Sequence, residues 1–509
     1  MEKYLIGIDL GQTNIKCGLY SVSGKLIRKT SRPIRFYTDV NGRVEQKPYD
    51  WWNNIKAALK ELDSNDNKMK NVVGLGLSTM GGILVFADAK KEPICDSLGV
   101  TDLRSKLAFD ELIKIKNPEY YYKKTGWYNG AGLPLASAYW FKKNDKDFFS
   151  KVRYMMFASD WIIHKLCGKA VLDKTNACIS MLFDINKDSW DEELLEIAGI
   201  NKNQLSSVLP SGYPVGKIEE DVAEELGLNK NVIVANSAHD QYSCALGVGA
   251  LSDNEFLIST GTAWVALAFT NRLIFDEINH FSPGYHIVEG LFGLLSVIPT
   301  GGKILEWFVD EIILKKGREK TNFYKDKNIK KFANLSRKLL FLPYLSGANA
   351  PFWDNDIKAA WLGMSLTTNS YDLLISIMEA LCFELKIYID LYKKEVKPSK
   401  FFAVGGATKS KIWMKMLANI TGNKLLIPLE SEAGIRGAAI MGAVSCGIFS
   451  DFYEATKNFK TNYIEISPQQ EEFESYSKLF QIYKETSRRT IKANKSLFNF
   501  NLGYGKKSQ

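Results

Sequence analysis

Tyr4-Leu5-Ile6-Gly7-Ile8-Asp9-Leu10-Gly11-Gln12-Thr13-Asn14-Ile15-Lys16 is the stretch on which the reading of this chain turns. An apolar run closes on a carboxylate, a glycine and small polar side chains, and a lysine follows. The pattern predicts a β-hairpin, Tyr4 to Ile8 and Lys16 to Tyr20, bent around Gly11, with a further strand from Lys25. A glycine at such a bend lets the main chain approach a ligand, because no Cβ intervenes. The motif then recurs: Phe256 to Ser259 runs into Thr260, Gly261 and Thr262, and Trp264 to Phe269 follows. Between the copies, Val232 to Ala235 reads as a buried strand, and Asp240-Gln241 stands where a helix through Leu246 begins. Two hydroxyl-bearing turns half a chain apart, with a carboxylate between them, predict two domains holding one polyphosphate from opposite sides. That is the layout of an ATP-dependent phosphotransferase.

Length and composition agree. At 509 residues the chain exceeds the roughly 250–300 residues at which one core stops growing, so two domains are expected. An apolar fraction of 46% with 24% charged residues fits a large globular protein. Lysine and arginine total 66 against 57 acidic residues, but they are dispersed, without a dense basic run and interleaved aromatics, so no nucleic-acid surface is expected. The seven cysteines lack a Cys-x-x-Cys pair and suit a reducing cytoplasm. No leader core precedes the first strand, and no apolar stretch is long enough to span a bilayer.

Further along, Trp51 to Leu62 has helical spacing, Val72 to Leu77 is a strand entering the loop Ser78 to Gly82, and Tyr120 to Gly199 is mostly helical. In the second half, helices are predicted over Gly302 to Ile313, Tyr371 to Tyr392, Ile412 to Thr421 and Arg436 to Ser445, with a strand Phe401 to Val404 ending at Gly405-Gly406. The division is placed near Gly247 to Asp253: residues 1–249 form the first domain, 250–490 the second, and 491–509 a loose basic tail.

Taken in order, the Asp9-Leu10-Gly11-Gln12-Thr13 loop, Asp240-Gln241, Gly261-Thr262, Gly363 with the Glu379 helix, Gly405-Gly406 and Gly434 to Gly442 resemble the FGGY carbohydrate kinases. Any one element is weak; six in order are not. The resemblance, from about residue 4 to 450, implies an α/β fold of two actin-like, ribonuclease H-like domains flanking a central cleft where ATP and sugar meet.

Phosphoryl transfer is mostly positioning and charge neutralisation, which assigns roles to these residues. Gly11, Gln12, Thr13, Lys16, Gly261 and Thr262 are expected to hold phosphates, and Asp9 to hold Mg²⁺. The resemblance gives Asp240 the role of catalytic base. His239 is read as structural, because adjacent residues on a strand or turn point apart. Gly405, Gly406 and Ser410, bordered by Gly302 and Glu306, are expected to hold the adenine nucleotide. Gly301-Gly302-Lys303 is not a Walker loop, since Ile304 stands where Ser or Thr is required.

Sugar binding falls to Met80, Gly81, Gly82, Asp102, Asp240 and Gln241. Glycerol kinases carry an Arg-Glu pair where this chain has Gly81-Gly82, which argues against glycerol. Xylulose kinases usually read Gln-Met-His there, and the Trp-x-Asp-x-Arg pattern keeps Asp102 and Arg104 but has Val100 for its tryptophan. The two glycines are expected to leave room beside the sugar. Trp127, Tyr128 and Trp264 are assigned to the core. The resulting expectation is a cytoplasmic, ATP- and Mg²⁺-dependent sugar kinase most like the xylulose kinase branch. A ribulose, polyol or gluconate kinase stays open, as do a homodimer and an actin-like ATPase switch without sugar.

Overall fold

The computed structural model describes residues 2–64, 66–313, 326–332, 339–354 and 356–505. Its first sheet contains β1 (Tyr4–Leu10), β2 (Asn14–Ser21), β3 (Leu26–Pro33), β4 (Val72–Thr79), β5 (Pro214–Lys217) and β6 (Ile233–Ala235), in the order β5-β6-β4-β1-β2-β3, and a short strand Ala238–His239 also pairs with β4. β1 to β3 form an antiparallel meander, whereas β1, β4 and β6 run parallel. β1 and β4 are buried almost along their whole length, so they read as apolar runs and not as alternating strands. Helices α1 (Pro48–Leu62) and α2 (Ala158–Cys167) cover the sheet, with Trp51, Trp52, Ile55, Leu59, Trp161 and Ile162 in its core. Each large apolar side chain buried this way contributes roughly 1.5–3 kcal/mol. α3 (Asp240–Gly247) follows β6.

The second sheet repeats the plan. β7 (Glu255–Thr260), β8 (Trp264–Thr270), β9 (Ser282–Tyr285), β10 (Phe292–Ile298), β11 (Lys400–Gly405), β12 (Leu425–Pro428) and β13 (Tyr463–Ile466) lie in the order β9-β10-β8-β7-β11-β12-β13. Again a hairpin, β7–β8, stands beside a parallel partner, β11. Helices α4 (Ser370–Tyr392), α5 (Lys411–Thr421) and α6 (Ala433–Ser445) take the places of α1, α2 and α3. The edges differ: β9 adds a strand beyond β10 in the second sheet, and β5 precedes its neighbour in the chain, whereas β13 comes after α6.

α3 and α6 cross between the sheets. α6 lies directly on the first sheet: a Cβ on Gly7 of β1 would stand 1.9 Å from the Ile435 carbonyl oxygen, and one on Gly76 of β4 would stand 1.9 Å from that of Ala438. Tyr242, Ala245 and Leu246 of α3 share a core with Leu257, Val265, Leu267 and Phe402 of the second sheet. Each half thus lends a helix to the interface.

Two local expectations change. Gly302 to Ile313 is not one α-helix: Lys303–Trp307 is helical and Phe308–Ile313 widens into π-type turns. The segment expected to be loose from residue 491 continues α7 (Gln470–Gly505), and Asn494 Nδ2 donates to the Lys358 carbonyl. Residues 506–509 of that expected tail lie outside the described residues.

Candidate active site

Asp9 stands at the end of β1, in register with Lys16 of β2 and Ser78 of β4. Ser78 Oγ donates to Asp9 Oδ1 at 2.7 Å. The first turn of α6 approaches from the other side, since a Cβ on Gly434 would lie 2.8 Å from Asp9 Oδ2. Burial pushes the Asp9 carboxyl up to about 6; the Asp240 charge adds to this, and Ser78 and Lys16 oppose it. Lys16 Nζ donates to Glu432 Oε2 at 3.0 Å, and Lys29 Nζ to Glu432 Oε1 at 3.1 Å. The turn is pinned on its backbone: Gly11 N–H donates to Asn14 O, Gln46 Nε2 to Gln12 O and Ile34 N–H to Thr13 O. The side chains of Gln12 and Thr13 stay exposed.

Asp240 opens α3, and it is not the helix cap: its Oδ1 accepts from Gln241 Nε2 at 3.1 Å. Burial pushes its carboxyl up to about 6, with Gln241 opposing. His239 Nε2 lies 3.1 Å from the same Oδ1, so the expectation that the two neighbours point apart is wrong. At a strand-to-helix junction the alternation of a strand no longer holds. A buried network holds this junction. Asp173 Oδ1 accepts from Thr175 Oγ1 at 2.5 Å, its Oδ2 accepts from Asn176 Nδ2 and Ser237 Oγ, and Thr175 Oγ1 accepts from the His239 N–H at 2.7 Å. In the sequence Ser78 and Gly434 stand out only as parts of a loop and a glycine-rich motif, without a role at Asp9, and nothing there marks Asp173 or Glu432.

The proposed sugar loop needs correction. Met80 N–H donates to Leu10 O, but the Met80 side chain is 2% exposed in the core of the first sheet and offers nothing to a ligand. The space beside the glycines is filled: a Cβ on Gly81 would stand 2.4 Å from Ile179 Cδ1 and 2.7 Å from His239 Cδ2, and one on Gly82 would meet Ile179 and Leu133. Asp102 is 1% exposed. Its oxygens accept from the N–H groups of Val44 and Arg104 and from the Arg104 guanidinium, so it caps a helix and fixes Arg104 instead of facing a sugar. Trp264 is fully buried beside Trp413, as a core assignment requires, whereas Trp127, which donates to the Cys178 carbonyl, and Tyr128, which stacks on His280, are half-buried.

The second turn opens on a cavity of about 710 Å³ lined by Gly261, Thr262, Gly302, Glu306, Gly406 and Ser410, with Trp264, Met378 and Trp413 among its apolar walls. The size and the few polar groups suit a small organic ligand. Gly405 sits just behind: its φ of +97° is left-handed, and a Cβ would lie 2.8 Å from the Thr260 carbonyl. Ser410 is partly spent, since its hydroxyl caps α5 and donates to Asp326 Oδ1 at 2.6 Å.

The sequence from 4 to 247 matches the N-terminal domain model of the FGGY family of carbohydrate kinases, and 256 to 446 matches its C-terminal domain model. The chain belongs to the FGGY family. This FGGY kinase is 26% identical to a xylulose kinase of Lactococcus lactis over 506 residues, which covers 98% of this chain and 99% of the relative. It is 23% identical to a gluconokinase of Bacillus subtilis over 496 residues, 96% of each. Among solved structures, the ligand-bound xylulose kinase from Lactobacillus acidophilus shares the fold with a TM-score of 0.87 at 23% identity, covering 97% of this chain and 100% of that one. As an FGGY carbohydrate kinase the protein is a phosphotransferase that uses ATP and a sugar. Among the described residues no helix is long and apolar enough to cross a membrane.

Proposed function

We propose that this FGGY kinase transfers the γ-phosphoryl group of ATP to a hydroxyl of a xylulose-like ketose, with Asp240 as general base. The observation that carries the assignment is the convergence of Asp240, Asp9 and Lys16 at one end of the first sheet, where Asp9 feels the charge of both the others. Ionised Asp240 takes the proton from the attacking sugar hydroxyl as the new O–P bond forms and the bond from the γ-phosphorus to the bridging oxygen breaks, releasing ADP. Lys16, with 39% of its side chain exposed, can turn from Glu432 to the transferring phosphoryl. Gly11 and Thr13 from one side, and Gly261 and Thr262 from the other, align the phosphates. The adenosine lies in the cavity beside Trp413, with Gly406 beneath it.

Among the described residues no group of three or more His, Cys, Asp or Glu side chains could hold a metal by itself. Asp9 with phosphate oxygens and water fits Mg²⁺, which favours one or two carboxylates in a phosphate-rich shell. Bound there, Mg²⁺ would neutralise phosphate charge. A cytoplasmic location belongs to this reading, since ATP is found there and the seven cysteines are free thiols.

The ketose rests on relatives named xylulose kinase that match almost the whole chain. The gluconokinase relatives support a sugar acid as the second reading. A coupled ADP-release screen over ketoses, aldonic acids and polyols separates them: a pentulose should give the largest sugar-stimulated turnover. No stimulation by any of the panel would defeat the proposal.

A further inference from the structure

We propose that His239 is a positioning and specificity residue for this transfer: its ring, packed over Gly81, holds the Asp240 carboxylate in one orientation and forms the wall past which a sugar hydroxyl reaches it. The inference rests on the reading of Asp240 as base.

Three observations carry it. His239 Nε2 lies 3.1 Å from Asp240 Oδ1, the same oxygen that accepts from Gln241 Nε2, so one carboxylate oxygen is approached from two sides while Oδ2 is left to the substrate. The ring also fills the place where a side chain at 81 would project, since a Cβ on Gly81 would stand 2.7 Å from Cδ2 and 3.1 Å from Nε2. Finally, the ring is built in: 12% of its side chain is exposed, Nδ1 is buried without a partner, and the main chain is tied through Thr175 to Asp173.

The charged and titratable groups near the pair are Asp173 and the Tyr242 ring, 6.0 Å away, beside His239, and Asp9, Lys16, Cys244 and Glu432 around the Asp9–Asp240 cluster. Burial pushes the imidazole down to about 4, against the pull of Asp173, so the ring is neutral at pH 7. A neutral imidazole carries one proton, and a bare lone pair 3.1 Å from a carboxylate oxygen would be repelled. The proton is therefore expected on Nε2, the nitrogen that faces the ionised base.

The chain has four histidines, so nitrogen-15 spectra of the full protein can test the contact without any sugar. At pH 7 the His239 ring, assigned by its loss in His239→Gln, should be neutral with the proton on Nε2, and its resonances should move in Asp240→Asn. A proton on Nδ1 would overturn the proposal whatever the sugar is. Two variants then separate the roles. His239→Phe keeps a ring over Gly81 but no nitrogen, and kcat should fall on the order of 10- to 100-fold, because a misplaced catalytic group costs about that much, with ATP affinity and melting temperature unchanged. His239→Gln keeps a nitrogen at the tip but loses the ring, so kcat should fall less than in His239→Phe while the ranking of kcat/KM among sugars changes. Wild-type kcat in the first, or an unchanged ranking in the second, would also overturn it. If His239→Phe fails to fold, the spectra and the His239→Gln ranking decide. A panel without any active sugar alongside an Nε2 proton would fault the ketose reading and leave the contact standing.

Discussion

In the first sheet the strand that enters the turn ends at Asp9, in register with Lys16 and Ser78; in the second, the matching strand ends at Thr260, in register with Trp264 and Gly405. The backbone is alike: a hairpin, a parallel neighbour and a glycine at the bend. The side chains are not. One turn gathers two carboxylates and a lysine, whereas the other offers a hydroxyl and backbone beside an apolar cavity walled by two tryptophans. The repeated fold thus supplies the proposed phosphate cradle twice, and the proposed proton and cation chemistry is confined to one copy, away from the cavity proposed for the nucleotide base.

The severest test of that division is Asp240→Asn. It should lower kcat by roughly 10²- to 10⁴-fold with ATP affinity near normal. Loss of fold is separable by melting. The folded carboxyls of Asp9 and Asp240 lie at about 6, above the ordinary value of 3.8, so their ionisation weakens the fold as pH rises from about 4 to about 6. Asn carries no such burden, and at pH 8 the ligand-free variant should melt no lower than wild type. A lower melting point would recast Asp240 as a structural residue.

Asp9→Asn should differ in kind: turnover should recover partly as Mg²⁺ is raised, because the lost charge belongs to cation placement. A Mg²⁺ profile identical to wild type would move the cation elsewhere.

The third test compares the turns themselves. Gly405→Ala forces a side chain into a left-handed backbone and against the Thr260 main chain, a strain of about 1–2 kcal/mol before the collision is counted. ATP binding and stability should both fall. Gly11→Ala meets only the Asn14 carbonyl, at 3.2 Å, and should cost less. Equal losses in calorimetry would show that the two cradles are equally tight.

The mildest test is pH. Asp240 must be ionised to act, so kcat/KM should be level above about pH 6 and fall about tenfold per unit below it. A limb near pH 4 would mean that the carboxyl is better solvated than its surroundings indicate.

Both hairpins, the helices around them and Asp240 were legible in the sequence because each rests on local pattern: apolar runs, glycine at a bend, a carboxylate at a junction. What stayed hidden depends on distant packing. The resemblance assigns Met80, Gly81 and Asp102 to the sugar, yet a core, a histidine 158 positions away and a helix cap claim them. Glu432 reaches Lys16 across 416 positions, which no local pattern encodes. Ser410 lines the cavity of the second half, but its duty toward Asp326 comes from a segment 84 positions earlier.

The bare glycine strip on the first sheet also sets an order of assembly. Gly7 and Gly76 have no side chains to cover their own strands, and the cover is α6, which begins at residue 433. During synthesis at about 5–20 residues per second, a first half complete at residue 247 waits roughly 10–40 s for its lid to be made. The nascent chain must protect that strip meanwhile, and a fragment ending at the close of the first half would carry it exposed. The halves read as two domains, yet each is covered in part by a helix that the other supplies.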